Sequence, residues 1–151
     1  MAITDQRYVP DDGRVQLDGD DVSGSVKKLS VSVPKRKKET ETSLGGDATV
    51  ISDWNAEDTA EVSITLYDDW NLAASATALH KTLWDAYIAG TVITDMDVAP
   101  AGSTVGMNEH TLTTVQVLQC PPFAELDSDA TQSATVEATL SVVSFSSLAI
   151  A

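Results

Sequence analysis

The residues of this chain whose chemistry could support catalysis or metal binding are few and far apart. The sequence contains two histidines, His80 and His110, and one cysteine, Cys120. A metal site built on the histidines would need a third ligand from elsewhere in the fold, so both are predicted to be ordinary surface or helix-face residues. A single cysteine excludes an internal disulfide and a cysteine-based zinc site, and Cys120 is predicted to be a small buried apolar residue.

Three further segments resemble chemical motifs only in part. Residues Asp18–Asp21 have the sequence DGDD, but they lack the ligand spacing and the final glutamate of an EF-hand calcium loop. Residues Leu44–Asp47 lack the lysine and the following helix of a phosphate-binding loop. Asp68 and Asp69 are neighbours that face opposite ways in an extended segment, so a solvated turn is expected there. We therefore predict a protein that is not an enzyme, with no catalytic residue, metal ligand or cofactor.

Charge is the most unusual property of the sequence. Of 151 residues, 23 are acidic and nine are basic, which gives a net charge of −14. Few cations are available to neutralise phosphates, so binding to nucleic acid is disfavoured. Two interpretations of the acidity are compatible. One is a surface past which DNA slides without sticking, and the other is adaptation to the high salt of a halophilic host.

Most of the positive charge is concentrated in one part of the chain, and six of the nine basic residues are Lys27, Lys28, Lys35, Arg36, Lys37 and Lys38. A basic patch on an acidic protein favours contact between copies of the chain, with the patch of one copy against an acidic face of the next. The alternative is a solvated basic loop. The residues predicted to form the interface are Lys35, Arg36, Lys37, Lys38, Leu44 and Trp84.

Apolar residues alternate with polar ones through much of the chain, which predicts β-strands. The clearest strand is Glu61–Tyr67. The other predicted strands span residues 14–17, 26–33, 47–51, 91–99, 111–120 and 133–145. The residues predicted to face the core are Leu29, Val31, Val33, Val62, Ile64, Leu66, Val136, Leu140 and Val142.

One segment, residues 75–89, has helical periodicity. Its predicted buried face consists of Leu72, Ala76, Leu79, Leu83 and Tyr87. Ser75 is the predicted N-cap, and Gly90 is expected to end the helix in a left-handed conformation.

The order of these elements predicts a mainly β protein. Helices do not alternate with strands, so we expect an antiparallel β-sandwich or barrel with one flanking helix. The whole chain, residues 1–151, is interpreted as one domain with an N-terminal arm (1–14) and a projecting loop or hairpin (34–46). No apolar run is long enough for a membrane helix, and the N-terminus lacks the pattern of a secretory signal, so synthesis in the cytoplasm is expected.

The order and spacing of several segments resemble the major tail tube proteins of siphovirus-like phages and archaeal viruses. The resemblance covers residues 15–146, and no motif in it is diagnostic by itself. It is carried by the segments VKKLSVSV, TETSLGGDATVISDW, AEVSITLYDDW, ASATALHKTLWDAYIAG, TVITDMDVAP, TTVQVLQCPPF and ATVEATLSVVSF.

This resemblance implies a structural protein of the virion tail. Six copies would form a ring, rings would stack into a tube with other tail proteins, and DNA would pass through the lumen without specific binding. Residues 34–46 would reach a neighbouring subunit. Alternatives are a tail terminator, a neck protein, a capsid decoration protein, the tube protein of a contractile tail and a carbohydrate-binding sandwich module.

Overall fold

The secondary structure of the computed structural model is dominated by β-strands. The structure describes residues 7–35, 38–51, 60–73 and 77–150. Its strands are β1 (Arg14–Leu17), β2 (Asp20–Asp21), β3 (Val26–Ser32), β4 (Lys38–Ser43), β5 (Gly46–Ile51), β6 (Ala60–Tyr67), β7 (Val92–Ala99), β8 (Asn108–Gln119) and β9 (Thr135–Ala149). Its helices are α1 (Trp70–Ala73) and α2 (Leu79–Ala89).

Seven of these strands form one antiparallel sheet in the order β2-β1-β7-β8-β9-β6-β3. The sheet curls into a half-barrel. This architecture confirms the predicted mainly β, antiparallel fold with a flanking helix. The two long central strands, β8 and β9, pair with each other. Strand β7 pairs with the other edge of β8, and strand β6 pairs with the other edge of β9.

Buried residues alternate strictly with more exposed residues along β6, and the buried ones form part of the core. Val62, Ile64 and Leu66 are buried, as the sequence pattern predicted. Val136, Ala138, Leu140 and Val142 on β9 lie opposite the inward residues of β6 and are also buried. Burying such side chains removes apolar surface from water, which is the dominant favourable contribution to folding.

The alternation of buried and exposed residues is interrupted at the same level of the three central strands, β7, β8 and β9. The buried residues there are three apart instead of two: Ile93 and Met96 on β7, and Leu112 and Val115 on β8. On β9 the corresponding residues are Val142 and the half-buried Phe145. Val115 pairs with Ile93 and Val142, and Leu112 pairs with Met96 and Phe145. Residues three apart point to opposite faces of a flat strand, so the strands must bend there. Thr114, in the middle of the step on β8, has a φ of +54°.

Helix α2 covers the inner face of the sheet with four residues, Leu79, His80, Leu83 and Ala86. Gly90 ends it with a φ of +67°, as predicted. Its start differs from the prediction, because Ala78 is the N-cap and has an extended backbone. Ser75 and Ala76 lie outside the described residues.

The predicted apolar helix face is therefore wrong at its two ends. Leu72 belongs to the separate helix α1 and is 91% exposed, and Tyr87 is 41% exposed. The 3.6-residue period does not continue from α1 into α2, because the extended Ala78 interrupts it. Among the described residues of that face, Leu79 and Leu83 reach the core.

Strand β3 is the edge of the sheet, and the core prediction was also partly wrong there. Leu29 packs against the core, but Val31 is 43% exposed and Val33 is 57% exposed. Val31 lies opposite the buried Val62, yet among the described strands β3 has a neighbour on one side only. Val33 lies beyond the last residue of the strand.

The predicted projecting segment contains one strand of a hairpin. Strands β4 and β5 pair with each other in a separate two-stranded sheet, with Leu44 and Gly45 in the turn. Of the two alternatives for residues 34–46, a long loop or a hairpin, the structure has the hairpin. Its second strand extends to Ile51.

We expect Ile64→Ala to lower the free energy of unfolding by about 2–5 kcal/mol, because it leaves a cavity in a closely packed core. Ile64 is 1% exposed. Urea unfolding measures the loss. An unchanged midpoint would show that the inner face of β6 has been assigned wrongly.

A cross-strand pair provides the matched control. Val62 is 0% exposed and its partner Val31 is 43% exposed, although the two side chains are identical. Val62→Ala should therefore cost clearly more stability than Val31→Ala. Equal losses would contradict the assignment of β3 as an open edge.

Candidate assembly surfaces

A buried hydrogen-bonded cluster connects helix α2 to two distant parts of the chain. The His80 side chain is 0% exposed. Its Nδ1 lies 3.1 Å from Asp68 Oδ1, just beyond β6, and its Nε2 lies 2.7 Å from the carbonyl oxygen of Pro121, just beyond β8. The Asp68 side chain also accepts hydrogen bonds from Asn71 and from the backbone N–H of Ala124.

Both neighbours of the imidazole ring have acceptor oxygens, the carbonyl of Pro121 and the side chain of Asp68. Burial alone would raise the pKa of the Asp68 carboxyl. Hydrogen bonds from Asn71, Ala124 and His80 outweigh that effect and hold its pKa below the ordinary value of 3.8. The cluster is thus a buried polar contact in which the Asp68 carboxylate accepts from three other residues.

The cluster corrects two predictions. His80 is not an ordinary helix-face residue, and Asp68 is not in a solvated turn, because only 6% of its side chain is exposed. The sequence carried no signal for the cluster, since its members lie 12 and 41 positions apart. Among the described residues, no group of three or more His, Cys, Asp and Glu side chains could hold a metal ion.

Cys120 lies next to this cluster and is buried, as predicted. Burial raises the pKa of its thiol to about 11, so the nucleophilic thiolate is scarce at neutral pH. His110, the other histidine, lies on β8 and contacts the Ser147 hydroxyl at 2.7 Å. Neither residue joins a catalytic constellation in the described part of the chain.

The residues predicted to form a subunit interface lie in two separate places. Lys35 is exposed just before β4, and Leu44 is fully exposed at the tip of the β4–β5 hairpin. Strand β4 is six residues long, so the tip lies roughly 20 Å from Lys38 at its start. Arg36 and Lys37 fall outside the described residues, as does the side chain of Lys38.

Trp84 belongs to a different surface. It is half-buried on helix α2 and packs against the core. Its ring stacks at a tilt on Tyr87, with 5.7 Å between ring centroids. Ile88, one turn further along, is 64% exposed. The outer face of α2 therefore presents an aromatic and aliphatic surface, remote in sequence from the basic segment.

Two features lie at the edges of the sheet. The first is a groove of about 630 Å³ between β3 and the segment that leads into β1, which we call the edge groove. Lys27 and Lys28 line it, and no local sequence pattern predicted it. The second is the turn between β1 and β2, residues Asp18–Asp21, which we call the acidic turn. Its sequence, Asp-Gly-Asp-Asp, predicts a turn, and the structure confirms it.

Comparison with solved structures shows that the fold is shared. The chain matches the tube-terminating cap of the anti-feeding prophage with a TM-score of 0.71 and 11% identity, covering 99% of this chain and 96% of that one. It matches a chain of the sheath/tube terminator of an extracellular contractile injection system (PVC) with a TM-score of 0.68 and 11% identity, covering 97% and 99%.

Two other structures are similar over most of their length. A chain of the PVC sheath-tube complex has a TM-score of 0.67 and 10% identity, covering 92% of this chain and 89% of that one. A chain of a gene transfer agent virion has a TM-score of 0.52 and 12% identity, covering 96% and 100%. No protein-family model and no curated protein matches this sequence. In the described part of the chain, no helix has the length and apolar character to cross a membrane.

We expect Asp68→Asn to destabilise the protein by about 1–3 kcal/mol at neutral pH, because Asp68 accepts from His80 on Oδ1 and from the Ala124 N–H on Oδ2, and an amide has only one acceptor oxygen. The folded-state pKa of Asp68 lies below 3.8, so its contribution is fully present above that pH and is lost as the pH falls through the folded-state pKa. Urea unfolding at several pH values should show the difference between variant and parent shrinking below pH 3.8.

Asp85→Asn is the matched control for this variant. Asp85 is exposed on the same helix and pairs only with Lys81, four residues away. Such surface pairs contribute about 0–1 kcal/mol. If Asp68→Asn cost no more than Asp85→Asn, the cluster would have no structural role.

Proposed function

We propose that this protein is a structural subunit of a phage-like tail that terminates the tail tube. The observation that supports this most strongly is the fold match to two tube-terminating chains, which extends over almost the full length of both partners. The share of each chain that the match covers supports a similar place in an assembly. Its partners would be copies of itself and other tail proteins, and its location would be the tail of a particle.

The second candidate is a tail tube subunit, whose hexameric rings stack into a tube. It is supported by the similarity to a chain of the sheath-tube complex and by the resemblance in the sequence. In both roles the net charge of −14 would suit a channel that DNA passes without binding, because like charges repel. The matched assemblies include contractile systems, so neither proposal is restricted to non-contractile tails.

Electron microscopy of the purified protein distinguishes the two roles. Discrete rings or caps that do not stack are expected for a terminator, and filaments for a tube subunit. The charge opposes association at low salt, so both about 0.1 M and about 1 M salt should be used, where the Debye length falls from about 10 Å to about 3 Å. Particles that remain monomeric at every protein and salt concentration would contradict both roles.

We expect replacement of Lys35, Arg36, Lys37 and Lys38 by Ser to leave the fold intact and to weaken contacts between subunits. Each exposed ion pair contributes only about 0–1 kcal/mol, but an assembly of identical copies repeats that contribution. Thermal unfolding should therefore change little, and sedimentation should show a lower assembled fraction.

Lys81→Ser serves as the control, since Lys81 lies on helix α2 and pairs with Asp85. A quadruple variant that assembles like the parent would contradict the interface role. DNA affinity that is present in the parent and absent in the variant would indicate nucleic-acid binding by this segment instead.

A further inference from the structure

The acidic turn is a tight hairpin on the surface of the sheet. Asp18 and Gly19 have φ angles of +48° and +88°, which is the pattern of a two-residue type I′ turn. Asp20 and Asp21 follow in β2 and are exposed. Asp95 on β7 lies beside the turn, because the Asp18 N–H donates to its carbonyl oxygen at 3.0 Å. Four carboxylates are thus held together at one corner of the molecule.

The edge groove contains cations, unlike the acidic turn. Its charged lining consists of Arg14, Lys27 and Lys28 together with Asp11 and Glu137. Arg14 is paired with Glu109. Lys27 and Lys28 form no ion pair within the described residues, which leaves two cations available for a ligand.

One wall of the groove is an edge strand of the sheet. Strand β3 pairs with β6 on one side, and no described strand pairs with its other side. Ser30, Ser63 and Thr65 line the same groove, and the Ser63 hydroxyl donates to Glu137. An acidic ligand there would meet the ammonium groups of Lys27 and Lys28 beside an edge strand.

We propose that the edge groove of one copy receives the acidic turn of a second copy. The two lysines of the groove complement the carboxylates of the turn, and the volume of about 630 Å³ lies within the roughly 300–1,000 Å³ of pockets that bind small molecules. Where each copy offers its turn to one neighbour and its groove to another, the contact is head-to-tail, and its repetition closes a ring where the rotation permits. The inference rests on the proposed role as an assembling tail subunit and names the surfaces that join.

Lysines on an edge strand could instead serve only to prevent unwanted strand pairing. The two explanations differ in their response to charge reversal. Glutamate protects an edge as well as lysine does, because either charge opposes desolvation of the edge. A glutamate would nevertheless repel an incoming acidic turn, so reversal tests docking specifically.

The experiment uses two variants of the full-length chain. Lys27→Glu/Lys28→Glu makes the groove acidic, and Asp20→Lys/Asp95→Lys neutralises the turn while keeping the hydrogen-bonding carboxylates of Asp18 and Asp21. Sedimentation at low ionic strength should show each variant associating at least about tenfold more weakly than the parent. An equimolar mixture should recover pairwise association, because the acidic turn of the groove variant then meets the unchanged groove of the turn variant.

Two helix variants, Lys81→Glu and Asp85→Lys, carry charge changes of the same sign away from the groove and should assemble like the parent. The inference is overturned if the groove and turn variants also assemble like the parent, or if their mixture does not recover association. If the parent forms rings and the groove and turn variants assemble like the parent, only this contact is rejected and the proposed tail role remains. A parent and a mixture that both remain monomeric would reject the two proposals together.

Discussion

The bend across strands β7, β8 and β9 is the constraint on which the rest of the fold depends. A regular strand buries every second residue, so a flat sheet of this length would expose the inner side chains at one of its ends. The three-residue step from Leu112 to Val115, with its counterparts on the neighbouring strands, keeps both ends facing one core. Thr114 adopts a left-handed conformation that is costly for a β-branched residue, and it does so at this step.

Helix α2 completes that core, and the buried polar contacts of His80 hold the helix in position. Leu79 and Leu83 supply the apolar contact, which alone would tolerate small shifts along the sheet. His80 restricts those shifts, because its two ring nitrogens contact Asp68 and the Pro121 carbonyl simultaneously. A shift of the helix would leave buried polar groups without partners, at a cost of about 1–3 kcal/mol each. The same contacts determine where Trp84 is presented.

The positions of the charged residues on the surface depend on the order and curvature of the strands in the sheet. In sequence, the acidic turn precedes Lys27 and Lys28 by a few residues and resembles part of one mixed-charge segment. In the strand order, β1 and β2 lie at one edge of the sheet and β3 at the other, yet Arg14 and Val15 of β1 line the edge groove together with Lys27 and Lys28. The acidic turn therefore neighbours the groove within one copy, and Asp21 accepts a hydrogen bond from Ser23 at the groove wall.

The sequence alone determined what depends on local periodicity and composition. The alternation in β6 and β9, the glycine that ends α2, the burial of Cys120 and the acidity could all be predicted, because neighbouring residues carry these signals. Tertiary structure decided what depends on distant partners. Val31 is exposed because β3 is an edge, and Leu72 is exposed because α1 and α2 are separate. Asp68 and His80 are buried because a carbonyl 41 residues beyond the histidine satisfies the ring, and no local pattern encodes that contact.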